Sequence, residues 1–154
     1  QNTYLTGGHE MLYDAIYLAA AKLVPPSKLP IQPSELAWGS AVDESYPPLQ
    51  QFSVSWRPSA HHVIIVFSDE PGQSYLSPQL LQTDVVSVIT EADDLSVYAF
   101  SNPAHQHNFP NWMGDSGWEP VCIGGGWYEL TTSTAEMFSG LMEILDETAC
   151  GGSP

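Results

Sequence analysis

Val63 to Phe67 (VIIVF) is a continuous apolar, mostly β-branched run, ended by Ser68, Asp69 and Glu70 and then by Pro71-Gly72. Such a run predicts a strand buried on both faces, as in the middle of a parallel sheet. Before it, Leu12, Ile16, Ala19, Ala20 and Leu23 fall on one helical face, predicting a helix over 9–23 that Pro25-Pro26 stops. After it, Leu81, Val85, Val88 and Ile89 mark a helix over 78–93, with Ser77 as N-cap and Pro78 at the first helical position. Leu95 to Ser101 reads as a second strand and Trp127 to Leu130, following three glycines, as a third. Ser133-x-x-Glu136 is a capping box. It opens a last helix carrying Met137, Phe138, Leu141, Met142, Ile144 and Leu145.

Two stretches show no sustained period. Residues 24–51 hold six of the 13 prolines, and residues 102–120 are rich in aromatics, His, Asn and Pro. Both are expected to be irregular insertions, long enough to serve as binding surfaces. Phe52 to Trp56 alternates apolar and polar residues, as a short strand or a packed lead-in would. Right-handed crossovers make the three main strands parallel, with helices on both faces. The expected architecture is a single α/β domain, a three-layer sandwich around a mostly parallel, Rossmann-like sheet.

Charge narrows the partners. The 154 residues carry 18 acidic side chains against two lysines and one arginine, a formal charge of −15. Nucleic-acid and anionic lipid surfaces would be repelled and divalent cations attracted. No apolar run reaches the length of a membrane span. Scarce lysine, with abundant Trp, Tyr, Asn and Gly, leans towards an extracytoplasmic protein, secreted or at a cell surface. The chain begins at Gln1, as a processed chain or a segment of a longer one would.

Few residues offer chemistry. Gly114-Asp115-Ser116-Gly117 resembles the GDSG around a trypsin-like nucleophile, but no histidine is arranged as its base, and no enzyme is expected. His61-His62 lies at the strand end opposite Asp69. His105-x-His107 follows a strand's C-terminal end, on the same rim as Asp69 and Glu70. Glu10 lies in the first turn of its helix, where the helix N-terminus favours a carboxylate. In a parallel sheet that turn starts at the rim where strands end, so Glu10 and Asp69 share a rim. Carboxylates with Ser or Thr hydroxyls and waters suit Mg²⁺ or another hard divalent cation such as Ca²⁺ or Mn²⁺.

GGHEMLYDAI, WRPSAHHVIIVFSDEPG, LSVYAF and GGGWYELTTSTAEMFSGLMEIL, in that order, resemble the second half of a von Willebrand factor A domain. The closest flavour is the integrin β inserted domain and its bacterial relatives. The resemblance implies an adhesion module whose cation sits on three loops and keeps one position for an acidic residue of a protein ligand. By position, Glu10 matches the second-loop ligand and Asp69 the third-loop ligand, with Thr6 a further second-loop candidate. Glu70, His105 and His107 would border the ligand. The first loop, Asp-x-Ser-x-Ser after an early strand, is missing; Asp43-x-Ser45-x-Pro47 is the nearest string. The family's first half is therefore expected upstream in a precursor or on a partner chain that completes the sheet. The alternative is an assembly subunit that uses the same fold for constitutive contacts without metal.

The two cysteines are Cys122 and Cys150. Cys122 precedes the last strand and Cys150 follows the descending last helix, so both reach the lower end of the sheet. A disulfide between them would contribute roughly 3 kcal/mol. Pairing with cysteines in the missing half, or two free thiols, are the alternatives.

Overall fold

The structure, a computed structural model, describes residues 11–39, 49, 54–107, 110–111 and 114–149. In chain order the main elements are α1 (Leu12–Ala20), β1 (Ala37–Trp38), β2 (His62–Ser68), β3 (Leu76–Ser77), α2 (Gln82–Glu91) and β4 (Leu95–Ser101). Then come β5 (Pro110–Asn111), β6 (Gly114–Asp115), β7 (Trp127–Glu129) and α3 (Thr134–Ala149). Among the described residues the fold is mixed α/β: three helices around a parallel three-stranded sheet in the order β2-β4-β7, with two short antiparallel ladders, β1-β3 and β5-β6.

Period-2 alternation divides the strands between two cores. Ile64 and Val66 of β2 and Val97 and Ala99 of β4 pack with Tyr13, Ile16 and Tyr17 of α1 and with Val85, Val88 and Ile89 of α2. The opposite parity, Val63, Ile65, Tyr98, Phe100 and Tyr128, packs with Met137, Leu141 and Ile144 of α3. On this second face Phe67, Phe100 and Tyr128 stack across all three strands, with centroids 4.8 and 4.9 Å apart. Val85, Val88 and Val97 are wholly buried, each contributing about 1.5–3 kcal/mol by leaving water.

Glycines before β7 let the chain run close to β4. Gly124 has φ of +69°, and a Cβ on Gly125 would lie 2.2 Å from the Val97 carbonyl oxygen. The backbone makes up for this with hydrogen bonds from Val97 N to Ile123 O and from Ala99 N to Gly126 O, both 3.1 Å.

The structure refines the sequence expectations at several places. Among the described residues β2 has β4 as its only strand neighbour, and Phe67 is 44% exposed. An unbroken apolar run reports burial demand on both faces, and that demand says nothing about which strand stands alongside. The second helix starts at Gln82, not Pro78, because Ser77 pairs with Ala37 in β3. Asp84 instead accepts from Leu81 N at 2.8 Å and closes the first turn. The insertion after α1 holds two 3₁₀ turns, Pro26–Lys28 and Pro33–Glu35, besides β1. Residues 54–56 form no strand; the Trp56 indole donates to Ala19 O at 2.9 Å, anchoring the lead-in to α1. The capping box is also rearranged: Thr131 donates to Glu136 Oε2 at 2.8 Å, and Ser133 Oγ accepts from Glu136 N at 3.4 Å.

Candidate functional site: the rim after β2

Asp69 sits at the apex of a small turn that directly continues β2. The Ser68 hydroxyl accepts from Glu70 N at 3.1 Å and donates to Glu70 O at 2.9 Å, locking the turn. Asp69 is exposed and Glu70 half-buried. The segment behind them, Pro71 to Ser74, is buried, and it is fastened from two sides.

One fastening is α1. Tyr13 N donates to Gln73 O at 3.3 Å, and Tyr75 N donates to Asp14 Oδ2 at 2.8 Å. Gly72 lies so close to Tyr13 that an added Cβ would meet its ring at 2.1 Å. The first turn of α1 therefore opens at the same rim as the Asp69 turn, because its own backbone and side chain hold the loop that follows β2.

The other fastening is the segment around Trp118, which is fully buried. Its indole donates to Glu70 O at 2.8 Å, and its backbone N donates to His105 O at 2.9 Å. It packs edge-on against Tyr13 at 5.5 Å. Gly72 N donates to Ser116 O at 2.9 Å, while Tyr13 OH (3.0 Å) and Gln82 Nε2 (2.8 Å) both donate to Gly117 O. The GDSG string thus serves as scaffold: Ser116 is 1% exposed, and its carbonyl and that of Gly117 hold the loop and two helices together.

Asp14 is the unusual group. It is buried, with Oδ1 lacking a hydrogen-bond partner among the described residues. Burial pushes its pKa up from 3.8 to about 6, against the opposing hydrogen bonds of Ser74 and the Tyr75 amide. Burial also raises Tyr13 well above the ordinary phenol value, so it remains a neutral donor.

The predicted residues are distributed as follows. Asp69 and Glu70 are on the rim, and Trp118 ties the Glu70 and His105 backbones together there. His107 points to Glu119 instead, Nδ1 to Oε2 2.6 Å, an exposed pair. No group of three or more His, Cys, Asp or Glu side chains is placed to hold a metal among the described residues, so the two histidines do not join Asp69 in a ligand set. Glu10 and Thr6 lie outside the described residues. So does Cys150, the expected disulfide partner; Cys122 is a free thiol that donates to Trp118 O at 3.3 Å. Its side chain packs with the α1/α2 core, which pushes its pKa up to about 12, whereas α3 lies on the other face of the sheet. His61 sits at the opposite end, Nε2 3.0 Å from Ser96 Oγ.

Sequence reasoning missed Trp118, Asp14 and Gln82. Asp14 carried a signal: a carboxylate within an otherwise apolar helix, where burial forces it to find donors. Trp118 carried none beyond its type.

Comparison with protein-family models, with curated proteins and with solved structures gives no match.

Proposed function

We propose that the chain is a von Willebrand factor A-like domain, a three-layer α/β sandwich acting as a metal-assisted protein-binding or adhesion module at a cell surface, outside the cytoplasm. The observation that carries this reading is the joining of the Asp69 loop to the first turn of α1 through Tyr13, Asp14 and Gly72. Glu10 itself lies outside the described residues; the reading takes it, one position before their start, as a ligand beside Asp69. The donor chemistry fits a hard cation: Asp69 and Glu70 offer carboxylate oxygens, which suit Mg²⁺, Ca²⁺ or Mn²⁺. Asp69, Glu10 and Thr6 would hold the ion, the remaining ligands coming from a segment that brings the Asp-x-Ser-x-Ser loop. When bound, the ion would supply an open coordination position for an acidic side chain of a protein partner, with Glu70, His105 and His107 at its border.

The completing segment is part of the reading. β2 presents one side of its backbone unpaired among the described residues, and an apolar groove wraps that edge. Its walls include Val63, Ile65 and Phe67 from one face and Ile64 and Val66 from the other, opposite Leu12, Ile16 and Trp56. A feature that touches both faces of an edge strand fits another strand, and such edges are normally covered. No described helix is long and apolar enough to cross a membrane.

The second reading, an assembly subunit making constitutive contacts without metal, rests on the same β2 edge and apolar groove, which a permanent partner would cover. Manganese binding followed by electron paramagnetic resonance separates the two. The expected result for residues 1–154 is one weak site, with Kd on the order of 10⁻⁴–10⁻³ M, lost in both Asp69→Ala and Glu10→Ala. Manganese binding that is the same in wild type and both variants removes the metal reading and leaves the assembly subunit.

A further inference from the structure

Among the described residues, four of the five large apolar side chains that stand exposed, Phe67, Phe138, Met142 and Leu145, belong to β2 and α3; the fifth, Leu81, is at the start of α2. On α3 they are not scattered. At 100° per residue Phe138, Met142 and Leu145 share one flank of the helix, while Glu136, Glu143 and Glu147 share the other. Contacts fix which way each flank faces. Glu136 and Glu143 line a cavity with Tyr128 and Glu129 of β7, and Glu147 accepts from Tyr98 OH at 3.2 Å. The acidic flank therefore faces β7, and the apolar flank faces β2, over Val63, Ile65 and Phe67.

The result is a trough with β2 as floor and α3 as wall. Its continuity with the α3–sheet core is direct, since Val63 and Ile65 already pack at the edge of that core and Phe67 stacks on Phe100. Helices on a sheet lie about 8–10 Å apart, roughly two strand spacings of about 4.8 Å. A second helix beside α3 would then lie over β2 and the strand position just beyond it.

We propose that this trough seats an amphipathic helix from a partner segment, apolar towards Phe67, Phe138, Met142 and Leu145 and bordered by Lys or Arg. Charge selects the border. Asp146 stands at the outer margin of the apolar flank, α3 holds no basic residue, and the chain as a whole carries −15. The same net charge argues against a second copy, because two chains that each carry −15 repel one another. The inference is independent of any cation at Asp69.

The test uses residues 1–154 and a fluorescent helical peptide of about 18 residues, with Leu at i, i+3, i+4 and i+7 and Lys along both borders. Binding is followed by anisotropy. The expected result is saturable binding, weakened about tenfold or more by Phe138→Ser and by Leu145→Ser. It should be unchanged by Glu136→Gln on the far flank and by chelator, which separates it from the rim site. Both serine positions are more than half exposed, and thermal unfolding confirms that each variant folds. Equal affinity for wild type and both serine variants overturns the proposal. So does equally tight binding of a Glu-bordered peptide. A wild-type dimer that the serine variants dissolve, without peptide binding, overturns it in favour of a second copy.

Discussion

The indole of Trp118 donates to the carbonyl of Glu70 at 2.8 Å, so a residue 48 positions away closes the turn that displays Asp69. Trp118→Phe keeps most of the ring and removes that donor, leaving a carbonyl in a largely buried setting. The expected cost is about 1–3 kcal/mol, measured by denaturant unfolding. Amide exchange at Glu70 and Gly72 should accelerate more than exchange within β4. Uniform acceleration across both would mean that Trp118 acts only by filling the core.

Asp14 makes stability depend on pH. Its folded-state pKa, about 6, is above the unfolded value of 3.8, so the folded state holds the proton more tightly. The stabilising contribution is fully present below about 3.8 and is lost as pH rises through 6. The shift of about two units corresponds to roughly 3 kcal/mol, an upper bound. Wild type should therefore melt lower at pH 7 than at pH 4.5. Asp14→Asn, which can still accept from Tyr75 N, should lose much of that difference and melt higher than wild type at pH 7. Relief of acidic repulsion affects both proteins alike, so the contrast between them isolates Asp14. Parallel pH curves would refute the assignment.

On the proposed von Willebrand factor A-like reading, magnesium should stabilise residues 1–154 little until the first-loop ligands are supplied. With residues 1–154 alone, millimolar Mg²⁺ near its Kd raises stability by about 0.4 kcal/mol, and a completed site at 100 times Kd by about 2.7 kcal/mol. The second value is expected only when a segment bearing Asp-x-Ser-x-Ser is supplied, and only with Asp69 intact. Calorimetric melting with Mg²⁺ and with chelator measures both. A large magnesium shift that survives Asp69→Ala would place the ion elsewhere.

Cys122 is packed in the α1/α2 core with its pKa pushed up to about 12, so little thiolate exists at pH 8. Native protein should alkylate very slowly at Cys122 and rapidly in denaturant, as peptide mapping after iodoacetamide would show. Fast native labelling would contradict the packing. Recovery of a Cys122–Cys150 crosslinked peptide would instead establish the expected bridge and require the thiol to turn out of this core.

The sequence alone determined the three main strands and three helices, because each announces itself locally. VIIVF and LSVYAFS are unbroken β-branched or aromatic runs, and the helices carry stripes at 3.6-residue spacing. Their order, with right-handed crossovers, was also enough for a parallel sheet, and the exposed Asp69 followed from the end of its strand. What lay beyond local pattern was decided by distant contacts. That β2 stands at an edge among the described residues depends on which segment lies beside it, a fact that no residue of β2 encodes. That Ser77 joins a strand and does not cap a helix depends on Ala37, 40 positions earlier. That Ser116 is scaffold and Trp118 a clasp depends on Glu70 and Gly72 of the loop after β2 and Tyr13 of α1 converging on them. Period and capping are short-range physics, legible within a turn or two. Edges, buried carboxylates and loop clasps are settled by the long-range packing that brings partners together, and only the folded chain displays it.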